Sequence, residues 1–211
     1  MTPMYFQAVH AFNATTSGAL LVPCSMFGVL CTVGAGVVIK RTGKYFALVI
    51  LAQGLLVCAV LLLALGFWQK IAPAEVGGLL LSMAGGGSAL SGLLIAQLAH
   101  SMPQDTAVVV ASSYLFRTLG GIIGISIGSA VMQQILRQQL AVRLPDSDQA
   151  RHIAEKVIAD LDYLRKLEPG VADQVRTSYR YGLLGATGPS LAFALLALVV
   201  SFMVKEKRLS K

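Results

Sequence analysis

Residues 107–134 read AVVVASSYLFRTLGGIIGISIGSAVMQQ, an apolar stretch in which Arg117 carries the only charge. A helix needs about 20 consecutive apolar residues to cross the hydrocarbon core of a membrane. Four further segments meet this requirement for apolar length: 14–39, 45–67, 75–99 and 183–204. The sequence therefore predicts an all-α integral membrane protein with five transmembrane helices.

The composition also favours a membrane protein over a soluble one. Hydrophobic residues make up 55% of the 211 residues, charged residues make up 13%, and the mean hydropathy is +0.71. Residues 1–39 carry no charge, and most charges fall in 40–44, 135–182 and 205–211. Because charges distributed in this way cannot cover a globular surface, we expect the chain to contact a lipid bilayer.

Several classes of function are disfavoured by the residues present. The net charge of +7 is not gathered on one polar face, so no nucleic-acid partner is expected. Cys24, Cys31 and Cys58 lie in apolar stretches without paired spacing, and the histidines are scattered, so neither a metal nor a cofactor is expected. No nucleophile is paired with a base in a recognisable pattern, and the chain is not expected to be an enzyme.

One long connection separates the fourth and fifth predicted spans. Residues 1–134 hold four spans after a short helix stub, 135–182 form this connection, and 205–211 form a basic tail. Within the connection, apolar residues recur at helical spacing between charged ones, at Ile153, Val157, Leu161 and Leu164. The pattern predicts an amphipathic helical loop, which would cap the membrane surface or serve in gating or partner binding.

Turn-forming and basic residues set the remaining expectations for topology. Pro169-Gly170 is expected to interrupt the helical loop before the last span. Lys40, Arg41 and Lys44 follow the first span directly, and positive charge at this place favours the cytoplasm. We therefore expect an outside N-terminus, a non-cytoplasmic 135–182 loop and a cytoplasmic C-terminal tail.

Arg117 is the most informative single residue. It lies about ten residues into its span, which at 1.5 Å per residue is about 15 Å deep, near the bilayer centre. A charge at this depth costs roughly 3 kcal/mol or more, so it must face the bundle interior and have polar partners. These partners would be backbone carbonyls, a polar side chain such as Gln97, or a carboxylate outside the chain. Arg117 is either a structural clamp or a direct contact for a substrate or coupling group.

Glycines at regular spacing predict close contacts between helices. Gly120, Gly124 and Gly128 recur every four residues on the span that carries Arg117. Gly85 and Gly86 begin a second small-residue surface on the third span. Glycines spaced in this way allow neighbouring membrane helices to approach closely.

Four motifs, in order along the chain, resemble a known family. They are Tyr5-Phe6-Gln7-Ala8-Val9 with Leu21-Val22-Pro23, the loop motif of Gly36, Lys40, Arg41, Gly43 and Lys44, the Phe116-Arg117 pair with Gly120 and Gly124, and the long loop before the last span. Together they resemble fungal major facilitator superfamily transporters. The branch that they resemble is that of the 14-span drug:proton antiporters, which includes vacuolar basic amino-acid permeases.

The resemblance implies that this chain is the C-terminal half of a larger helical bundle. The N-terminal transporter half, where proton-coupling acids are expected, would then be a missing partner. Transporters of this kind work by moving one half against the other, so the chain is not expected to transport alone. In the parent protein, the resemblance implies proton-coupled export of drugs, organic cations or basic amino acids across the plasma or vacuolar membrane.

The resemblance also implies which residues meet a small-molecule substrate. The first, third and fourth spans and the stub would border the cavity, and the second and fifth would lie outside it. The candidate residues for substrate contact are Tyr5, Gln7, Ser88, Gln97, Ser113 and Arg117. The alternative function is that of a non-transporting five-span protein that acts by helix association with a larger partner.

Overall fold

The computed structural model describes residues 14–69, 72–143 and 169–204. These ranges contain five long helices and no strand: α1 (Ala14–Thr42), α2 (Phe46–Gln69), α3 (Ala72–His100), α4 (Thr106–Arg143) and α5 (Pro169–Ser201). A short 3-10 turn, Pro103–Asp105, precedes α4. In the described part of the chain, five helices are long and apolar enough to cross a membrane. The predicted all-α membrane fold is therefore confirmed.

The last two helices are longer than the predicted spans. α4 continues past residue 134 to Arg143, and α5 begins at Pro169 rather than near 183. Residues 135–143 and 169–182 thus extend the flanking helices. Pro169 begins α5 because the first helical position needs no backbone N–H, so proline fits there. The Ile153 to Leu164 pattern, the stub and the basic tail lie outside the described residues.

The described helices fall into two compact units. The first unit, called the cavity unit here, comprises 23–125 and 190–204, and the second, called the Tyr181 unit, comprises 14–22, 126–143 and 169–189. Each unit has its own buried contacts.

In the cavity unit, glycines spaced by seven residues join α3 to α2. A Cβ atom at Gly78 would lie 2.7 Å from Leu63 Cγ, one at Gly85 would lie 2.9 Å from the Ala52 carbonyl oxygen, and one at Gly92 would lie 2.7 Å from Val49 Cγ2. These distances are shorter than van der Waals contact. Gly78, Gly85 and Gly92 therefore form a ridge without side chains, which allows α2 to approach the α3 backbone closely.

A second face of α3 packs against α1 in the same unit. A Cβ atom at Gly28 would lie 3.2 Å from Met83 Cβ, and one at Gly87 would lie 2.7 Å from the Gly28 carbonyl oxygen. The hydroxyl of Ser91 donates a hydrogen bond to the Thr32 carbonyl oxygen at 3.0 Å. Because α3 contacts both α1 and α2, it is the central helix of this unit.

The turn between α1 and α2 is fixed by glycine and by a buried tyrosine. Gly43 has φ +67°, and its N–H donates to the Ile39 carbonyl oxygen at 2.8 Å, which ends α1. Tyr45 is fully buried with Ile39 and Ala96. The His100 ring meets the Tyr45 ring edge-on, with centroids 6.4 Å apart. Ends of α1, α2 and α3 are therefore held together beside this turn.

In the Tyr181 unit, the end of α4 packs against the start of α5. A Cβ atom at Gly182 would lie 3.0 Å from the Met132 carbonyl oxygen and 3.7 Å from Leu136 Cβ. The Arg143 guanidinium carbon lies 5.3 Å from the centre of the Tyr181 ring. These contacts explain why both helices continue beyond the lengths expected from hydropathy, since each extension has buried apolar residues and a cation–π contact.

The outward surface of the helices is strongly apolar. Large exposed hydrophobic side chains occur along α1 and α4, among them Met26, Leu30, Leu115, Ile122 and Ile125. In water such a surface would lead to aggregation, whereas lipid chains solvate it without penalty. The chain is therefore a multi-pass membrane protein whose helices contact the bilayer.

Two adjacent glycines on α3 give a matched test of the α2–α3 contact. We expect Gly85→Ala to lower the free energy of unfolding by about 1–3 kcal/mol, because the added Cβ meets the Ala52 carbonyl and Leu56. At Gly86 a Cβ meets no atom within 4 Å, so Gly86→Ala should be neutral or stabilise by up to about 1 kcal/mol. Unfolding in a detergent titration, followed by far-UV circular dichroism, measures both. Equal effects of the two substitutions would contradict the close α2–α3 contact.

Candidate functional site

Two open cavities lie in the cavity unit and share three polar wall residues, Gln97, Ser113 and Arg117. The first has a volume of about 540 Å³ and is otherwise lined by α4 residues, including Val109 and Phe116. The second has a volume of about 370 Å³ and is otherwise lined by α1, α3 and α4. Cavities of this size are typical of small-molecule sites. We call the two together the Arg117 cavity.

Helical spacing explains how the polar walls converge. Ser113 and Arg117 are four residues apart on α4, so both side chains project from the same face of that helix. Gln97 lies near the end of α3 and lines both parts of the cavity together with them. Arg117 itself lies eleven residues from the start of α4, or about 16 Å along the helix axis.

A hydrogen bond between helices joins two of the three shared residues. The Ser113 hydroxyl lies within hydrogen-bond distance of both the Gln97 side-chain carbonyl oxygen and the Val109 backbone carbonyl oxygen, the latter at 2.9 Å. Since a hydroxyl has a single proton, it donates to one of these acceptors at a time. The bond to Gln97 connects α3 to α4 at the cavity wall.

Among the described residues of the cavity wall, Arg117 carries the only full charge. Its guanidinium carbon lies 6.0 Å from the centre of the Tyr114 ring, which is at the outer limit of a cation–π contact. Within 14–69, 72–143 and 169–204, no carboxylate lies within ion-pair distance of it. The side chain is exposed to the cavity. The cavity therefore presents an unneutralised positive charge among apolar and polar neutral groups.

The structure brings together three of the six residues predicted to contact substrate: Gln97, Ser113 and Arg117. Ser88 is half-buried on α3 and lines neither part of the Arg117 cavity. Tyr5 and Gln7 lie outside the described residues. The wall residues come from α1, α3 and α4, the helices that the family resemblance places at the cavity.

Ten of the described wall residues are not among the sequence candidates, and three of them are Tyr114, Phe116 and Thr32. Tyr114 and Phe116 precede Arg117 on α4, and their position close to an intramembrane arginine is the available signal. Thr32 reaches the cavity from α1, where a lone threonine in an apolar span gives no signal. Its backbone carbonyl accepts the Ser91 hydrogen bond, which holds α1 beside α3 at this wall.

The glycines predicted to pack helices differ in their surroundings. Gly85 is in close contact with α2, and Gly128 is buried. At Gly86, Gly120 and Gly124, a Cβ atom would meet nothing within 4 Å in the described part of the chain. The small-residue face of α4 beside Arg117 therefore has open space next to it, and no helix packs on it among the described residues.

The basic loop motif coincides with the end of α1. Lys40 and Arg41 are exposed in the last helical turn, where their charge interacts favourably with the helix dipole. Gly43 provides the left-handed turn, and Lys44 is exposed just after it. At Gly36 a Cβ would meet no neighbouring atom. The basic motif thus lies beside the Tyr45 contacts, on a tightly formed turn.

The chain is similar over nearly its whole length to fungal membrane transporters. It is 29% identical over 217 residues to the vacuolar membrane amino acid uptake transporter fnx2 of Schizosaccharomyces pombe, covering 98% of this chain and 36% of that protein. It is 28% identical to the multidrug resistance protein fnx1 of the same yeast, over 93% of this chain and 36% of that protein. It is 30% identical to the MFS-type transporter gkaD of Penicillium citrinum, over 99% of this chain and 36% of that protein.

The five apolar helices of the described residues and the transporter relatives indicate a multi-pass membrane protein. The resemblance to fungal major facilitator transporters that the motifs indicate is confirmed over nearly the whole chain. The chain spans little more than a third of the length of the curated relatives it matches. No family model matches the chain, and no solved structure matches it.

A double-mutant cycle tests the hydrogen bond at the cavity wall. We expect Ser113→Ala and Gln97→Ala to be non-additive, with a coupling of about 0.6 kcal/mol, the usual size for a hydrogen bond between membrane helices. Detergent unfolding of the two single variants and the double variant gives this coupling. A control cycle pairs Ser113→Ala with Gln53→Ala, a buried glutamine of α2 that does not line the cavity. Additivity in the first cycle would show that the bond contributes nothing.

Proposed function

We propose that this chain is the C-terminal portion of a secondary active transporter of the major facilitator type, which moves small organic molecules across a membrane. The similarity of nearly the whole chain to named transporters carries this proposal. Proteins of this class bind substrate near the bilayer centre, between two halves of the molecule. The remaining part of the bundle would come from an N-terminal half that these residues do not include.

The Arg117 cavity supports a transport role for this portion. It lies among helices that are apolar enough to cross a membrane, yet its wall contains a charge, an amide and a hydroxyl. Charged residues inside membrane segments mark substrate or ion pathways when they face a cavity. Gln97 and Ser113 would hydrogen-bond the substrate, and Arg117 would contact it directly. Ser88, Tyr5 and Gln7 remain candidates for contact in the complete protein.

The coupling ion, the substrate and the membrane are proposed from the resemblance to major facilitator transporters. Transport would be coupled to protons and would export drugs or organic cations or move basic amino acids, at the plasma or vacuolar membrane. The basic turn at Lys40, Arg41 and Lys44 would face the cytoplasm, which places the N-terminus outside and the C-terminal tail inside. Without the N-terminal half, the chain would bind lipid and fold as helices but would not transport.

A second candidate function is favoured by the open glycine face of α4. A Cβ atom added at Gly120, Gly121 or Gly124 would meet no atom of a neighbouring element within 4 Å among the described residues. Such a face accepts a closely packed helix from another polypeptide. The chain would then be a non-transporting five-span protein that acts by associating with a larger membrane protein.

A chimera distinguishes the two functions. The aligned C-terminal region of fnx2 is replaced by this chain, and the product is expressed in Schizosaccharomyces pombe cells that lack fnx2. We expect the chimera to restore amino-acid uptake into isolated vacuoles, because this chain would supply a matching second half. The chain expressed alone should give no uptake above the vector control.

Fluorescent tags allow uptake to be normalised to the amount of protein in the vacuolar membrane. Arg117→Ala in the chimera should reduce normalised uptake at least about tenfold, which corresponds to about 1.4 kcal/mol. Arg137→Ala, which removes an exposed arginine that lines no part of the cavity, is the matched control. A correctly located chimera without uptake would contradict the transport proposal. Binding of the chain alone to intact fnx2, together with an inactive chimera, would favour the second function.

A further inference from the structure

We infer that the Arg117 cavity is a carboxylate-binding subsite, so that the small molecule recognised here carries a carboxylate group. The inference rests on the proposed function and makes it more specific, since it names the part of the substrate that this portion of the protein holds. It follows from the hydrogen-bonding capacity left on the cavity wall, from its charge and from its shape.

The hydrogen-bond donors and acceptors of the cavity wall favour an anionic ligand. The Gln97 side-chain oxygen is positioned to accept the Ser113 hydroxyl, which leaves the two amide hydrogens of Gln97 as its remaining donors. The Ser91 hydroxyl donates to the Thr32 carbonyl oxygen at 3.0 Å. Arg117 adds five N–H donors and no acceptor. The side chains shared by both parts of the cavity therefore offer mainly donors, as an anionic ligand requires.

The charge of the wall also favours an anionic ligand. Among the described residues that line the cavity, Arg117 is the one charged side chain, and Tyr114 is the one other titratable group. A guanidinium inside a membrane-spanning segment is stabilised by an opposite charge and is destabilised by a second cation. An organic cation without an anionic group is therefore a poor ligand for this wall. A zwitterionic amino acid fits if its carboxylate points toward Arg117.

The shapes of the guanidinium and of the cavity beside it also suit an organic carboxylate. The planar guanidinium matches a carboxylate through two parallel hydrogen bonds. Beside it, the larger part of the cavity is lined by Val108, Val109 and Phe116, which suit the apolar body of a small organic acid. A volume of about 540 Å³ accommodates a molecule larger than a simple inorganic anion. A phosphate ester has related chemistry, so the experiment includes one.

Ligand binding to the 211-residue chain in lipid nanodiscs tests the inference. Three fluorinated probes are compared by ¹⁹F NMR line broadening: 4-fluorobenzoate, 4-fluorobenzamide and 4-fluorophenyl phosphate. The first two have nearly the same shape and differ in charge. We expect the benzoate to bind at least about tenfold more tightly than the benzamide. We also expect the phosphate ester to bind more weakly than the benzoate. Tighter binding of the phosphate ester would overturn the assignment to carboxylates.

Substitutions of Arg117 test whether its guanidinium causes the preference for benzoate. Arg117→Gln should reduce the benzoate preference to within about twofold, and Arg117→Lys should retain part of it, because lysine keeps the charge but loses the planar fork. Arg137→Gln makes the same change in net charge outside the cavity and should leave the preference intact. Equal binding of benzoate and benzamide, or a preference that survives Arg117→Gln, would overturn the inference. If Arg117→Gln instead lowers stability with no change in selectivity, the residue is a structural clamp.

The outcome is separable from that of the vacuolar uptake experiment. An Arg117-dependent carboxylate preference together with an inactive chimera would contradict the transport proposal but leave the subsite standing. An active chimera together with equal probe binding would support transport and reject a carboxylate at Arg117.

Discussion

Arg117 places a guanidinium that cannot lose its charge inside the apolar stretch of a long helix, eleven residues after α4 begins. Arg117 has apolar residues on either side of it in α4, and a charge at this depth must have polar surroundings. The cavity unit supplies them with Gln97 from α3 and Ser113 from the preceding turn of α4. The cavity, its donors and its single charge all follow from where this side chain is placed.

The helices around the cavity are held together at glycines, where the backbones approach closely, rather than by large side chains. The ridge of Gly78, Gly85 and Gly92 brings α2 against α3, and Gly28 with Gly87 brings α1 against it. Lipid provides no hydrophobic force between helices, so such contacts depend on close packing and on hydrogen bonds. α3 is thereby fixed on two faces, which positions Gln97 at the cavity wall. On α4, by contrast, Gly120, Gly121 and Gly124 are open among the described residues, where a further helix has room to pack.

Much of the fold is predictable from hydropathy, because a bilayer imposes a minimum apolar length on each helix. The five helices and the connection at Gly43 follow from this length and from turn chemistry. The ends of α4 and α5 do not, because they depend on contacts such as Gly182 with Met132 and Arg143 with Tyr181, which no hydropathy average contains. Of the cavity residues, Arg117 can be recognised from the sequence because it is a charge inside an apolar span. Thr32 cannot be recognised in this way, because its place at the wall depends on how α1 packs against α3.

We expect the Arg117 face of α4 to line a water-accessible cavity while neighbouring faces meet lipid. Accessibility of single cysteines to a charged, membrane-impermeant thiol reagent tests it most directly. Cys24, Cys31 and Cys58 are first replaced by alanine, and cysteine is then introduced at Ser113 or at Ile125, which is 68% exposed on the same helix. In sealed vesicles labelled from either side, we expect rapid modification of the cysteine at position 113 and almost none of the cysteine at position 125. Equal reactivity at the two positions, or reaction at 125 alone, would contradict it.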